Sequence, residues 1–155
     1  MRGQSVLTAR DIMTTSLVTL DQDTSLLEAM QLLTRRGISG APVVDRESRL
    51  IGILSEADCL RAIASGEYYS DSHYEESSVQ QYMTKAAFTI PPELGIYRVA
   101  QIFLERGVRR LPVVDADRLL GQVSRRDVLR GIERMREKRT RKRYPDYPEG
   151  REPHP

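Results

Sequence analysis

The sequence is poor in several residue types on which whole classes of protein depend. It has one cysteine in 155 residues, which excludes an intrachain disulfide and a cysteine zinc cluster. Tryptophan is absent, and neither histidine suits a general base or a metal ligand, since His73 lies in a polar stretch and His154 in a proline-rich tail. No apolar run approaches the roughly 20 residues that span a bilayer, and the N-terminus lacks the apolar core of a secretory signal. We expect a cytoplasmic protein without a metal site.

Motifs of nucleotide-using enzymes are missing as well. The sequence contains neither a Gly-x-x-x-x-Gly-Lys phosphate loop nor a Gly-x-Gly-x-x-Gly fingerprint. Cys59 falls in a predicted helix beside Leu60, where a core position is favoured over a nucleophile. The net charge of +2 is too small to attract the whole chain to nucleic acid. We predict a globular non-enzyme with no catalytic residues.

What the sequence does contain is a tandem duplication. A shift of 70 places aligns residues 13–45 with 83–115, with 10 identities in 33 pairs. One residue then drops out, and residues 50–61 align with 119–130 at a shift of 69. The slip lies between two apolar runs, where a turn would absorb it. A repeat of this kind determines the whole fold and is therefore interpreted first.

Each copy predicts the same elements. In the first, apolar residues recur at helical spacing, with Thr24 ahead of them as the expected cap and Gly37 as the expected left-handed C-cap. Ser55 is a plausible N-cap for a second helix. The predicted elements are a strand around 17–20, a helix over 24–36, a hairpin over 42–44 and 50–54, and a helix over 56–64, followed in the second copy by a helix over 94–106, strands over 111–114 and 119–123, and a helix from about 124.

These elements predict an α+β fold of two pseudo-symmetric βαββα units. Each unit has a three-stranded sheet with two helices on one face. A unit of about 55–60 residues is marginal alone, so we expect the two to pack through their sheets. Equivalent loops then face each other across a pseudo-two-fold axis, and the function should lie in paired clefts between the units.

The motifs in these units resemble a known family. The first copy has Asp-Ile-Met-Thr (11–14), Gly-Ile-Ser-Gly-Ala-Pro-Val-Val-Asp (37–45) and Gly-Ile-Leu-Ser-Glu-Ala-Asp (52–58), and the second has Tyr-Met-Thr (82–84), Gly-Val-Arg-Arg-Leu-Pro-Val-Val-Asp (107–115) and Gly-Gln-Val-Ser-Arg-Arg-Asp (121–127). Each resembles a cystathionine-β-synthase (CBS) domain, and together they resemble a free-standing CBS pair, or Bateman module. The expected divisions are a first unit over 8–65, an acidic tyrosine-rich linker over 66–80, a second unit over 81–133, and a basic helix end with a proline-rich tail over 134–155.

The resemblance implies a regulatory module that binds AMP, ADP, ATP or S-adenosylmethionine, with Mg²⁺ accompanying a triphosphate. In the family, a Gly-x-x-Ser/Thr-x-x-Asp stretch contacts ribose and phosphate, which corresponds here to Ser55 with Asp58 and Ser124 with Asp127. A helix N-terminus suits a phosphate, and a carboxylate at i+3 faces the same way. The residues alone equally fit plain helix caps and first-turn acids.

The two predicted clefts differ in charge. The second copy has Arg109 and Arg110 before its Pro-Val-Val, and Arg125 and Arg126 before Asp127, whereas the first has Ser39, Gly40, Glu56 and Ala57 there. Converging guanidinium groups favour a di- or triphosphate, although a solvated helix face is an equal interpretation of Arg125 and Arg126. The first cleft is left empty, takes a less charged ligand, or borrows an arginine across the axis. The predicted nucleotide-binding residues are Ser124, Asp127, Arg109, Arg110, Pro112, Arg126, Ser55, Asp58, Ser39, Gly40 and Pro42.

Two segments fall outside the repeat. Residues 66–80 contain four acids and three tyrosines, of which Tyr68, Tyr69 or Tyr74 could cover a cleft. Residues 134–143 contain seven basic residues and one acid, which predicts a solvated helix end or a docking strip for nucleic acid, anionic lipid or an acidic protein. A contact with the acidic linker, within one chain or between subunits, is a third interpretation. The resemblance implies a homodimer acting on a separate partner protein. The alternative is a dimeric scaffold whose basic helix binds nucleic acid or an acidic partner.

Overall fold

The order of helices and strands repeats along the chain. The computed structural model describes residues 6–65 and 76–143, so the two histidines, the proline-rich tail and most of the predicted linker lie outside the described residues. The elements are α1 (Ala9–Ile12), β1 (Leu20–Asp21), α2 (Leu26–Arg36), β2 (Gly40–Val44), β3 (Leu50–Ser55), α3 (Glu56–Ala64), a 3₁₀ turn (Val79–Gln81), α4 (Ile96–Arg106), β4 (Arg110–Asp115), β5 (Arg118–Ser124) and α5 (Arg125–Arg143). The α+β fold with two similar units is confirmed. Within the described ranges, no helix is both long and apolar enough to cross a bilayer.

The caps of α2 correct one local prediction. The side chain of Ser25, not Thr24, accepts a hydrogen bond from the Glu28 N–H at 3.1 Å. Thr24 instead lies in the preceding turn, where its N–H donates to Asp21 and its carbonyl accepts from Val79. At the other end Gly37 adopts φ 62°, a left-handed conformation that glycine adopts without steric cost. The C-cap prediction is confirmed and the N-cap prediction was wrong by one residue.

Only the first repeat has the complete three-stranded sheet. There β1 runs parallel to β2, and β2 pairs with β3 in the predicted hairpin. In the second repeat β4 and β5 form the hairpin, but the third strand shrinks to one parallel bridge between Ile90 and Val113. Gln22 extends the first sheet by donating its N–H to Val44. Its counterpart in the second repeat is Pro92, which has no N–H to donate.

Each repeat completes its core with a segment from the other. The N-terminal arm, residues 9–18, places Ala9 and Ile12 in the second core, and the central arm, residues 79–88, places Val79 and Met83 in the first. Two equivalent backbone pairs hold the arms: one joins Thr14 to Gln122, the other Thr84 to Ile53. The two cores therefore depend on each other, although the order of elements gives no sign of the exchange.

Two glycines allow the arms to approach. A Cβ added to Gly121 would lie 2.8 Å from both the Met13 Sδ and the Thr14 carbonyl oxygen. At Gly52 the same atom would lie 2.6 Å from the Met83 Sδ and 2.9 Å from the Thr84 carbonyl oxygen. Any larger residue at either position would push an arm away from its strand.

The hairpin tips of the two repeats also meet. The Leu50 N–H donates to the Asp117 carbonyl at 2.9 Å, and the Leu119 N–H donates to the Ser48 carbonyl at 3.2 Å. Leu50 and Leu119 are equivalent in the repeat alignment, so these bonds lie across the pseudo-two-fold axis. Together with the arms, these bonds hold the two sheets against each other.

Candidate functional site

A cavity of about 330 Å³ opens where the N-terminal arm, the first repeat and the second repeat meet. The arm and the start of β2 form one side, and the hairpin and helix α5 of the second repeat form the other. The lining residues are Thr14, Ser16, Leu17, Val18, Ile38, Gly40, Arg110, Gln122, Ser124, Arg126, Asp127 and Arg130. The fold thus brings together residues as much as 116 positions apart in the sequence.

Ser124 and Asp127 are fixed at the base of the cavity by the start of α5. The Ser124 N–H donates to the Asp127 Oδ2 at 2.8 Å, and the Asp127 N–H donates to the Ser124 Oγ at 3.1 Å. These reciprocal bonds use one carboxylate oxygen and orient the other. The nearest cation to that second oxygen, Oδ1, is Arg130, whose Nη1 lies 3.9 Å away. Asp127 therefore caps its helix while retaining an acceptor for a ligand hydroxyl.

The equivalent carboxylate of the first repeat is fully engaged. The Asp58 Oδ2 accepts from the Ser55 N–H at 2.8 Å and from its hydroxyl at 3.0 Å. Its Oδ1 accepts from Arg61 and, at 3.2 Å, from the hydroxyl of Thr84 in the central arm. The side chain is 4% exposed, against 11% for Asp127. The two copies of one motif thus present carboxylates of different availability.

Three arginines give the cavity its charge. Arg110 comes from β4, and Arg126 and Arg130 come from the first turns of α5, one helical turn apart. All three are exposed. Residues four apart lie on the same helix face, so both α5 arginines face the same opening. Such a group of guanidinium donors suits a phosphate or another polyanion.

The opposite side of the cavity is apolar. Leu17 and Val18 from the N-terminal arm and Ile38 before β2 are each partly buried and line this side. Apolar side chains opposite hydrogen-bonding and charged groups are typical of sites that bind small amphipathic molecules. The arrangement can hold a flat apolar ring on one side and an anionic group on the other.

Five of the predicted binding residues line this cavity: Gly40, Arg110, Ser124, Arg126 and Asp127. Six others lie outside its lining: Ser39, Pro42, Ser55, Asp58, Arg109 and Pro112. Pro42 is buried in its sheet, and the Ser39 carbonyl accepts from the Glu56 N–H. Seven lining residues were not predicted from the sequence: Thr14, Ser16, Leu17, Val18, Ile38, Gln122 and Arg130. The Met-Thr pair repeated at 13–14 and 83–84 was the available signal for the arm.

Metal binding and thiol chemistry have little support in the described parts of the chain. Across residues 6–65 and 76–143, no three His, Cys, Asp or Glu side chains gather in a way that could hold a metal ion. Cys59 is a core residue, as predicted, with 6% of its surface exposed. Burial, reinforced by the charges of Asp58 and Glu56, raises the pKa of the Cys59 thiol. A raised pKa makes the thiol less reactive.

Three known proteins are informative comparisons. CBSX2, crystallised with AMP, is 29% identical with a TM-score of 0.72, over 84% of this chain and 98% of that one. The CBS pair of MJ0100, in complex with 5′-methylthioadenosine and S-adenosyl-L-methionine, is 25% identical with a TM-score of 0.64, over 79% and 97%. The A-adding tRNA nucleotidyltransferase of Aquifex aeolicus is 29% identical over 85% of this chain. This chain spans only 15% of that enzyme's length.

The family assignment rests on both repeats. The model of the CBS domain matches residues 9–65 and again residues 79–141. The two matches cover most of the chain, and the two solved structures compared above are CBS-pair proteins. This chain therefore belongs to the CBS-domain family, as a tandem pair.

Proposed function

We propose that the protein is a regulatory module that binds an adenine nucleotide or a related adenosine derivative in the cavity beside Asp127. The observation that carries the proposal is the Oδ1 oxygen of Asp127, which accepts no hydrogen bond within the described residues and lies between apolar residues and arginines. A ribose offers hydroxyls to such an acceptor, a base packs on the apolar side, and a phosphate meets the arginines. AMP in CBSX2 and the adenosine compounds in MJ0100 support this ligand class.

The cavity of the second repeat is proposed as the main site. Asp58 has both oxygens engaged by protein groups, so a ribose hydroxyl would have to displace Arg61 or Thr84. Breaking a charge-assisted hydrogen bond lowers the net free energy of ligand binding at Asp58. A ligand that binds at Asp127 does not have to break such a bond. The predicted binding residues of the first repeat are therefore proposed to have mainly a structural role: Ser39, Pro42, Ser55 and Asp58. They are also proposed to form a second, weaker ligand site.

Regulation is proposed to act through the N-terminal arm. Thr14, Ser16, Leu17 and Val18 belong to the arm and line the cavity, while α1 is docked in the second core. A bound ligand would therefore touch the arm and both repeats at once. It changes the module's shape only if it binds two arrangements with different affinity. The proposal includes no catalytic step by this chain.

A homodimer that acts on a separate partner protein completes the proposal. Leu60 and Ile63 on α3 are exposed, and so are their equivalents Leu129 and Ile132 on α5. Exposed apolar groups at matching positions of both repeats are typical of an interface. A second copy can cover both faces with closed two-fold symmetry.

The alternative is a scaffold that binds nucleic acid through its basic end. One observation favours it: α5 continues to Arg143, ten residues past the position equivalent to the end of α3. That extension contains seven basic residues and one acid. Phosphate binding by such a helix would be strongly salt-dependent. Part of the extension has a structural role, because Arg134 donates to the Asp11 carbonyl at 2.9 Å.

A thermal-shift panel on nucleotide-stripped protein tests the main proposal. The panel contains AMP, ADP, ATP, S-adenosylmethionine, NAD and GTP, each with and without Mg²⁺. A ligand at 100 times its Kd adds about 2.7 kcal/mol, which raises the Tm of a chain of this size by about 5–10 °C. We expect adenine ligands to give this shift and Asp127→Ala to abolish it. A flat panel would contradict the proposal.

A further inference from the structure

We infer that the cavity selects adenosine ligands with two or more phosphates over AMP, and disfavours S-adenosylmethionine. This inference rests on the proposed function and names the ligand class of that site. It is carried by Arg110, Arg126 and Arg130, of which Arg130 was not predicted from the sequence. Arg109, which was predicted, lies outside the lining.

The cavity has more positive charge than its own residues neutralise. Asp127 is the one acid among its lining residues, against three arginines. Its Oδ2 is already held by the Ser124 N–H, and its Oδ1 lies 3.9 Å from Arg130. Within the described residues, neither the Arg110 nor the Arg126 side chain forms a hydrogen bond or a salt bridge. A ligand with a single phosphate leaves part of this charge unmatched.

The positions of the arginines favour a chain of phosphates over one group. Arg110 reaches the cavity from β4 and the other two from α5, so the cations belong to two different walls. Arg126 is the second residue of α5, where the positive end of the helix dipole adds to its charge. Guanidinium groups form paired hydrogen bonds with phosphate oxygens. Successive phosphates can therefore each engage a separate arginine.

The same charges act against a cationic ligand. S-adenosylmethionine has no phosphate and a positive net charge, because its sulfonium and ammonium groups outweigh its single carboxylate. Its charged part would face three guanidinium groups. Like charges close together disfavour binding. The first repeat has Gly40 and Ala57 where the second has Arg110 and Arg126, so this preference belongs to the second repeat alone.

Titration calorimetry with adenosine, AMP, ADP, ATP and S-adenosylmethionine, in EDTA at low and moderate salt, tests the inference. We expect ADP to bind at least about tenfold more tightly than AMP, since a hydrogen bond between charged groups contributes about that factor. ATP should bind at least as tightly as ADP, and S-adenosylmethionine most weakly. The advantage of ATP over adenosine should shrink as salt rises.

Two substitutions separate selectivity from general charge. Arg126→Ala should remove most of the preference for ATP while leaving adenosine binding intact. Arg125→Ala is the matched control, because this neighbour on the same helix is exposed and lies outside the lining. Equal losses in both variants would overturn the inference. So would equal affinity for AMP and ATP with binding that still requires Asp127, and in that case the proposed function would stand. Absence of any adenine ligand binding would instead refute the proposed function itself.

Discussion

Nη1 of Arg130 lies 3.9 Å from the Oδ1 of Asp127, whereas the equivalent Arg61 contacts Asp58 directly. The difference arises around the carboxylates rather than in the motif. Thr84 of the central arm donates to Asp58, while its equivalent, Thr14 of the N-terminal arm, lines the cavity. One motif therefore serves stability in the first repeat and leaves an acceptor available in the second.

Alanine substitutions at the two aspartates should affect different properties, stability at Asp58 and ligand affinity at Asp127. Asp58→Ala leaves buried donors unpaired, so we expect the free energy of unfolding to fall by about 1–3 kcal/mol with ATP affinity retained. Asp127→Ala should lower ATP affinity at least about tenfold, since a hydrogen bond to a charged group is lost. Urea unfolding and calorimetry on both variants measure the two effects. If Asp58→Ala weakened ATP binding more than Asp127→Ala, the assignment of the main site would be wrong.

The two arm glycines form a second matched pair. Gly121→Ala should displace Thr14 and Gly52→Ala should displace Thr84, each at a cost of about 1–3 kcal/mol in stability. Only the first displacement moves an arm that lines the described cavity. We therefore expect the ATP affinity of Gly121→Ala to fall well below that of Gly52→Ala, measured at a temperature where both variants remain folded. Equal affinities would show that the N-terminal arm contributes nothing to binding.

The N-terminal cap of α1 should make stability depend on pH. The N–H of Thr8 donates to Asp11 and, opposed in part by desolvation, holds the pKa of that carboxyl below its ordinary value; Arg134 and Lys138 act in the same direction. A lowered pKa in the folded state stabilises the fold above about pH 4, and this stability is lost as pH falls through the folded pKa.

Asp11→Asn isolates this contribution. The variant retains a side-chain oxygen but has no carboxyl to titrate, so we expect lower stability at pH 6 and a smaller decrease between pH 6 and pH 3. Urea midpoints at the two pH values, for both proteins, measure the difference. Asp45, whose pKa is lowered chiefly by the Arg49 N–H, remains in the variant. The stability of the variant should therefore still fall somewhat at acid pH. Parallel pH profiles would argue against a role for Asp11.

Removing residues 137–155 tests the nucleic-acid alternative. The cut leaves Arg134 on the Asp11 carbonyl and Met135 against the second core, so the fold should persist. We expect ATP binding to be unchanged and neither form to bind a labelled RNA or DNA tightly at physiological salt. Tight, salt-sensitive binding by the full chain that the truncation abolishes would support the alternative instead.

Local rules predicted the elements well, because each depends on nearby residues. The left-handed conformation of Gly37, the cap at Ser55 and the hairpin after Pro42 all follow from short-range chemistry. The predicted N-cap of α2 was wrong by one residue, because Thr24 and Ser25 are both residue types that favour this position. The Thr24 carbonyl bonds to Val79, a distant contact that no local pattern contains.

The site was predictable only where the repeat alignment pointed to it. Ser124, Asp127, Arg110 and Arg126 lie on motifs that the alignment highlighted. Arg130 and the N-terminal arm depend on which segment crosses to which repeat. Symmetry alone would also have given Asp58 and Asp127 equal roles. Their difference arises from the side-chain geometry of Arg61 and Thr84, which spacing does not encode.

The exchange of arms also determines the order in which the two cores and the cavity can form as the chain is synthesised. Proteins leave the ribosome N-terminus first, so the first core gains its last segment when residue 83 emerges. The N-terminal arm waits longer, because it has backbone bonds to Pro92 and Leu94, and its bond to Arg134 lies 123 positions beyond Asp11. The N-terminal arm is therefore made well before the repeat whose core it completes, and the ligand cavity can form only after residue 130, the last of its lining residues, has been synthesised.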